Sequence, residues 1–176
     1  TRDVQLLQLA MDGPGTNESM VLDVLFGSED EHRAKVREQY EALTGRDLEA
    51  DIKSEHGGTE EIFALAVLNR GTIEEADRIY AATRGLWNEV APVFQALEGK
   101  NKDELQEIRD SFKEVYGKDL EEHLTARLTG KDEVKGLALL RDGSVSPATQ
   151  IKLETMGWNF FGWSTNVDAI QEALVG

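Results

Sequence analysis

The stretch Gly45-Arg46-Asp47-Leu48-Glu49 recurs 72 positions later as Gly117-Lys118-Asp119-Leu120-Glu121, and this recurrence is the first indication of the fold. The same step, taken without a gap, superimposes further turn glycines and core positions. These are Gly13 with Gly85, Gly27 with Gly99, Gly58 with Gly130, Gly71 with Gly143, and residues 65–68 with 137–140. Agreement at turn and core positions together indicates an internal repeat of about 70 residues.

A third copy of the repeat begins near the end of the chain. Thr165 and Asn166 correspond to Thr16 and Asn17, after a few extra residues around Gly143. We therefore divide the chain into a first repeat at 1–71, a second at 72–143 and the opening of a third at 144–176. Repeat proteins bury their cores between neighbouring units, so we expect further repeats or domains beyond the last residue.

Each repeat is predicted to contain five short helices. In the first repeat, Asn17 is expected to cap the second helix and Thr59 the fifth, and glycines end several helices. The third helix is expected between about residues 30 and 43. Its inward-facing side chains are predicted to be Ala34, Val36, Tyr40 and Leu43. No segment shows the two-residue period of a strand, so the sequence predicts an all-α fold.

Composition excludes several functional classes. The 176 residues are 40% hydrophobic and 30% charged, which is typical of a folded protein, and no apolar run is long enough to span a membrane. The absence of Cys excludes disulfides and thiolate metal sites. A net charge of -15 argues against nucleic-acid binding. The same charge opposes contact with an anionic lipid surface unless a cation bridges the two or a basic patch is present.

The sequence contains no recognisable catalytic motif. His32, His56 and His123 are scattered, without the spacing of a zinc site. No P-loop, nucleotide-binding fingerprint or Gly-x-Ser-x-Gly motif is present. We expect a protein without enzymatic activity.

The first repeat carries a loop and a distant carboxylate that resemble a known family. The loop is Gly13-Pro14-Gly15-Thr16, and 38 residues separate Thr16 from Glu55. Within a five-helix repeat, this combination resembles the annexin repeat, and Arg33 falls where that family has a buried arginine. The resemblance covers essentially the whole chain and is strongest over 4–70. It implies annexin-like repeats in a right-handed superhelical arrangement.

The annexin resemblance also implies a calcium site in the first repeat. Its main ligands would be the carbonyl oxygens of Met11, Gly13 and Gly15 and the carboxylate of Glu55. Calcium prefers such oxygen ligands, and its remaining positions can take water or a lipid phosphate oxygen. Weaker accessory sites are implied at Thr16 and Glu18 on the same loop, and at Glu61. The alternative is that the glycines only form a turn and Glu55 is a solvated carboxylate.

The second and third repeats depart from this pattern. The second has Trp87 in place of Gly15 and Arg127 in place of Glu55, so we predict no calcium site of this type there. The third loop has Trp163 and lacks a second glycine, and its distant carboxylate would lie beyond residue 176. Trp87 and Trp163 are candidates for contact with the membrane interface, where tryptophan is favoured. Each is alternatively explained by packing against its own helices.

Two hypotheses of function follow. The first is calcium-dependent, non-enzymatic binding to anionic phospholipid membranes, by a cytoplasmic protein that associates peripherally when calcium binds. The second is an annexin-like scaffold or protein-interaction module of a larger protein, with weak or no calcium binding.

Overall fold

The computed structural model describes residues 2–11, 17–55, 58–85 and 89–156, except for the side chains of Met11, Glu18, Ser19 and Glu55. The described residues form α-helices joined by short turns, with no strand among them, which confirms the prediction of an all-α fold. No helix in this part of the chain is long and apolar enough to cross a membrane.

The chain forms two compact units, Thr1–Gly85 and Leu86–Gly176. The helices of the first unit are α1 (Arg2–Met11), α2 (Glu18–Leu25), α3 (Asp30–Thr44), α4 (Leu48–Glu55), α5 (Thr59–Arg70) and α6 (Glu75–Arg84). Those described in the second are α7 (Val90–Leu97), α8 (Lys102–Tyr116), α9 (Leu120–Arg127), α10 (Lys131–Asp142) and α11 (Pro147–Thr155). Helices α2 to α5 thus recur as α7 to α10, each displaced by 72 residues at both ends.

Glycines in the left-handed region fix this repeated backbone. They occur in four pairs with the same step: Gly27 and Gly99, Gly45 and Gly117, Gly58 and Gly130, and Gly71 and Gly143. Gly45 and Gly117 end α3 and α8 with φ of 71° and 66°, a conformation that residues with a Cβ rarely adopt. Left-handed glycines therefore set where four of the helices stop, namely α3, α5, α8 and α10.

Within each unit, a backbone hydrogen bond also joins two of these glycines. The N–H of Gly27 donates to the carbonyl of Gly71 over 2.7 Å, and that of Gly99 donates to Gly143 over 2.8 Å. A Cβ on Gly71 would lie only 2.8 Å from the carbonyl oxygen of Ser28, so the turn after α2 passes directly against the end of α5. Glycine is required here by space as well as by conformation.

The core of the first unit is an apolar cluster of side chains from the five helices α1 to α5. Its members are Val4, Leu7, Ala10, Val21, Leu25, Val36, Tyr40, Leu48, Ile52, Ala64, Val67 and Leu68. The second unit buries Val93, Leu97, Leu105, Ile108, Phe112, Leu120, Leu124, Leu139 and Leu140, most of them at matching positions. Spacings of three and four residues place these side chains on one face of each helix.

Three details of the helix predictions were wrong. The buried face of α3 is Arg33, Val36 and Tyr40, whereas Ala34 is exposed because it lies about 100° around the helix from Arg33. Leu43, in the last turn of α3, is 60% exposed. The N-cap of α5 is Gly58, which has no side chain to donate or accept a hydrogen bond; Thr59 is the first helical residue. The φ of 73° at Gly58 explains why a threonine does not occupy the cap.

Candidate metal site of the first repeat

The ends of the predicted calcium loop are fixed to each other. Helix α1 ends at Met11, and the N–H of Asn17 donates to the carbonyl of Ala10 over 3.0 Å. The side chain of Asn17 accepts from the N–H of Met20 over 3.3 Å and thereby caps α2, as the sequence predicts. The chain therefore leaves α1 and enters α2 at one point, which is the geometry that a short ligand loop requires.

Most of the predicted ligands fall outside the described residues. Gly13, Gly15 and Thr16 belong to the loop between Met11 and Asn17 that the structure does not describe, and the same holds for the carboxylate of Glu18. Trp87 and Trp163 also lie outside the described residues. Their roles as ligands or membrane contacts stay predictions.

The distant carboxylate comes at the end of a helix. Glu55 is the last residue of α4, and α4 packs against α3 and α5. The matching helix of the second unit, α9, ends instead at Arg127. The same place in the fold thus carries a carboxylate in one unit and a guanidinium in the other.

Glu61 is the one predicted carboxylate whose side chain is described. It lies in the first turn of α5, is only 15% exposed, and accepts a hydrogen bond from Nη1 of Arg84 over 2.8 Å. No local sequence pattern joins Arg84 to Glu61, because the two residues are on different helices. Within the described ranges, no three His, Cys, Asp or Glu side chains come together in a group able to hold a metal ion.

Buried polar residues hold α3 in place in the first unit. Arg33 is only 4% exposed, as the family resemblance implies, and donates to the Ser28 carbonyl and the Asp30 carboxylate. The Tyr40 hydroxyl donates to Asp51 over 2.6 Å. Burial is the main cause that raises the pKa of Tyr40 far above its ordinary value, and the hydrogen bond to Asp51 is the second cause. A hydroxyl held protonated in this way positions α3 against α4.

In the second unit, two packed rings replace the hydrogen-bonded pair of Tyr40 and Asp51. Phe112 matches Tyr40, His123 matches Asp51, and their ring centroids are 5.1 Å apart. Burial, together with the positive charges of Lys118 and Arg127, lowers the pKa of His123 to about 4. His123 is therefore a neutral packing residue at neutral pH.

Comparison with known proteins gives consistent matches. The annexin family model matches residues 2–67. Annexin A8 of Bos taurus is 33% identical over 128 residues, covering 73% of this chain and 39% of that protein. Annexin A8 of Oryctolagus cuniculus is 33% identical over 147 residues, covering 84% of this chain and 45% of that protein.

A solved structure agrees with these matches. It is that of a mutant annexin A8 with an intact N-terminus, and the alignment has a TM-score of 0.50 and 29% identity. It covers 84% of this chain and 46% of that one, so the chain spans less than half the length of these relatives. From the repeated five-helix unit, the buried Arg33 and these matches, we conclude that the chain belongs to the annexin family.

Proposed function

We propose that this chain binds anionic phospholipid membranes in a calcium-dependent, non-enzymatic manner through its first repeat. Annexins in general are calcium-dependent phospholipid binders. The observation that carries the proposal is the extent of the family match, because residues 2–67 include every predicted ligand and end before the second repeat. The first repeat therefore carries the activity in this proposal.

The donor set is chemically suited to calcium. The carbonyls of Met11, Gly13 and Gly15 and the carboxylate of Glu55 are all hard oxygen donors, which calcium takes in sets of about six to eight. They leave positions that a lipid phosphate oxygen can fill. With a net charge of -15, the protein alone repels an anionic surface, so a bridging divalent cation would account for calcium dependence.

Accessory ligands and membrane contacts complete the proposal. Thr16 and Glu18 would form a weaker site on the loop, and Glu61 another at the start of α5. Trp87 and Trp163 would contact the interface, where an indole ring is buried while its N–H stays wet. The protein would then be cytoplasmic and peripheral, reaching the membrane only when calcium is present.

Sedimentation with phosphatidylserine-containing vesicles tests the proposed function. Binding should require calcium, and Glu55→Gln should raise the calcium concentration for half-maximal binding at least about tenfold, since it removes the charged ligand. Arg127→Gln, at the matching position of the second unit, is the control and should leave that concentration nearly unchanged. Binding without calcium, or an unchanged Glu55→Gln variant, would contradict the proposal.

A scaffold function is the second candidate, and Arg127 is the observation that favours it. A fixed positive charge at the end of α9 opposes a divalent cation in the second unit, so that unit would act through protein contacts. Calcium titration of the whole chain by calorimetry distinguishes the two. No heat of binding at millimolar calcium would support the scaffold and exclude the first proposal.

A further inference from the structure

An ion pair occupies the carboxylate of Glu61. Arg84 is the last residue of α6, and its Nη1 lies 2.8 Å from Oε2 of Glu61 in the first turn of α5. The Glu61 side chain is 15% exposed and that of Arg84 is 41% exposed, so the pair is partly shielded from water. A guanidinium in this position uses the lone pairs that a metal ion would need.

The second unit shows that the fold does not require this pair. Glu133 of α10 matches Glu61, and Met156 stands where Arg84 stands in the first unit. Within the part of the chain that the structure describes, the side chain of Glu133 makes no hydrogen bond or ion pair. Helix α10 nevertheless has the same length as α5 and packs against α11 as α5 packs against α6. The length and packing of α5 therefore do not depend on Arg84.

We propose that Arg84 is an internal competitor for calcium at Glu61. The inference rests on the proposed function, because it concerns the order in which calcium fills the first repeat. Calcium reaches Glu61 only by displacing the guanidinium, and the two positive charges repel each other in a partly shielded setting. The site at Glu61 therefore fills at a higher calcium concentration than the site at Glu55. Calcium binding then occurs in two steps, and Arg84 sets the difference between the calcium concentrations at which they occur.

Calorimetric titration with calcium tests this inference on the whole chain. Arg84→Met introduces the residue found at the matching position and should tighten the weaker step about tenfold, as expected for loss of one nearby positive charge. Arg84→Lys keeps the charge and should lie between Arg84→Met and the wild type. Adding Glu61→Gln to Arg84→Met should remove the weaker step. Arg78→Met is the matched control, since Arg78 is on the same helix and pairs with Glu75 over 3.5 Å.

The outcomes separate this inference from the proposed function. An unchanged weaker step in Arg84→Met, or a gain that persists after Glu61→Gln or appears equally in Arg78→Met, overturns the inference. A weaker step that becomes visible only in Arg84→Met supports it. Loss of the tighter step in Glu55→Gln tests the proposed function alone, because Arg84 does not act on that step. Helical circular dichroism and thermal unfolding of each variant verify that the fold is retained.

Discussion

The two units have the same backbone frame but stabilise it with different side chains. One arginine makes the same polar contacts in both. Arg37 donates to the Leu68 carbonyl over 3.1 Å, and Arg109 donates to the matching Leu140 carbonyl over 3.4 Å. Each arginine also pairs with a glutamate at the start of the next helix, namely Glu49 in the first unit and Glu121 in the second. This arginine ties the third helix of each repeat to the fourth and fifth.

Other buried polar groups of the first unit are apolar or aromatic in the second. Arg33 becomes Leu105, and the pair of Tyr40 and Asp51 becomes Phe112 and His123. All of these positions are buried in both units except that of Asp51, which is partly exposed. The comparison teaches that positive-φ glycines and the apolar face define the frame, whereas the polar groups inside it can be exchanged for packing.

The turn after the fifth helix shows the same contrast. In the first unit, Asp77 is fully buried; it accepts two hydrogen bonds from Arg70 and one from the N–H of Glu74. In the second unit, Ser146 caps α11, with its hydroxyl in contact with that of Thr149 on the exposed surface. A buried ionic network and a neutral surface cap thus serve the same turn.

The largest expected effect is at Asp77. Asp77→Ala should lower the free energy of unfolding by about 3–5 kcal/mol, because it removes the buried carboxylate that accepts from Arg70 and from the N–H of Glu74. The matched change Thr149→Ala should cost at most about 0.5 kcal/mol, as is usual for a partly exposed surface position. Urea denaturation followed by circular dichroism measures both. Similar losses in the two variants would contradict the distinction between the two turns.

The exchange at Arg33 and Leu105 should be asymmetric. Leu105→Arg buries a guanidinium where Lys102 replaces the partner Asp30, and should cost about 3 kcal/mol of unfolding free energy. Arg33→Leu introduces the side chain that the second unit already buries and should cost about 1 kcal/mol or less. Thermal unfolding of both variants checks this prediction. A larger loss for Arg33→Leu would show that the first unit depends on its polar network.

Glycines in crowded turns and glycines in open turns should differ in their tolerance of a side chain. Gly143→Ala should cost about 2–3 kcal/mol, because the new Cβ would also meet the backbone of Lys100. Gly117→Ala should cost only about 1 kcal/mol, since φ is positive there but the space around it is open. Denaturant midpoints of the two variants provide the measurement. Equal losses would mean that conformation alone, and not the close approach, makes glycine necessary.

The smallest expected effect is a pH dependence specific to the second unit. The pKa of His123 is lowered to about 4 in the folded state, from 6.5 in the unfolded chain. The contribution of neutral His123 to the free energy of unfolding is therefore fully present above pH 6.5 and is lost as the pH falls toward 4. Between pH 6.5 and pH 5 the loss should be roughly 1.5 kcal/mol. His123→Gln should flatten this part of the stability profile, while Tyr40→Phe in the first unit should leave its slope unchanged.

The sequence predicted the fold more completely than the site. Helix ends follow from glycines and caps such as Asn17, and the buried faces follow from apolar spacing, both of which are local properties. The exceptions were Ala34, Leu43 and the Thr59 cap. Leu43 has the spacing of a buried face, but the last turn of α3 leaves it exposed. For the site, Glu55 and the loop were found through the family resemblance. Nothing local indicated that Glu61 is paired with Arg84.

The repeat, its helices and the loss of the predicted carboxylate at Arg127 can be read from the sequence alone, because each depends on residue identity at a fixed step along the chain. Which charges meet depends on tertiary packing. Asp77 is buried under Arg70, and Glu61 is held by Arg84, because those side chains converge from separate helices. The interaction of two charges depends on their distance and on their exclusion from water, and packing sets both quantities.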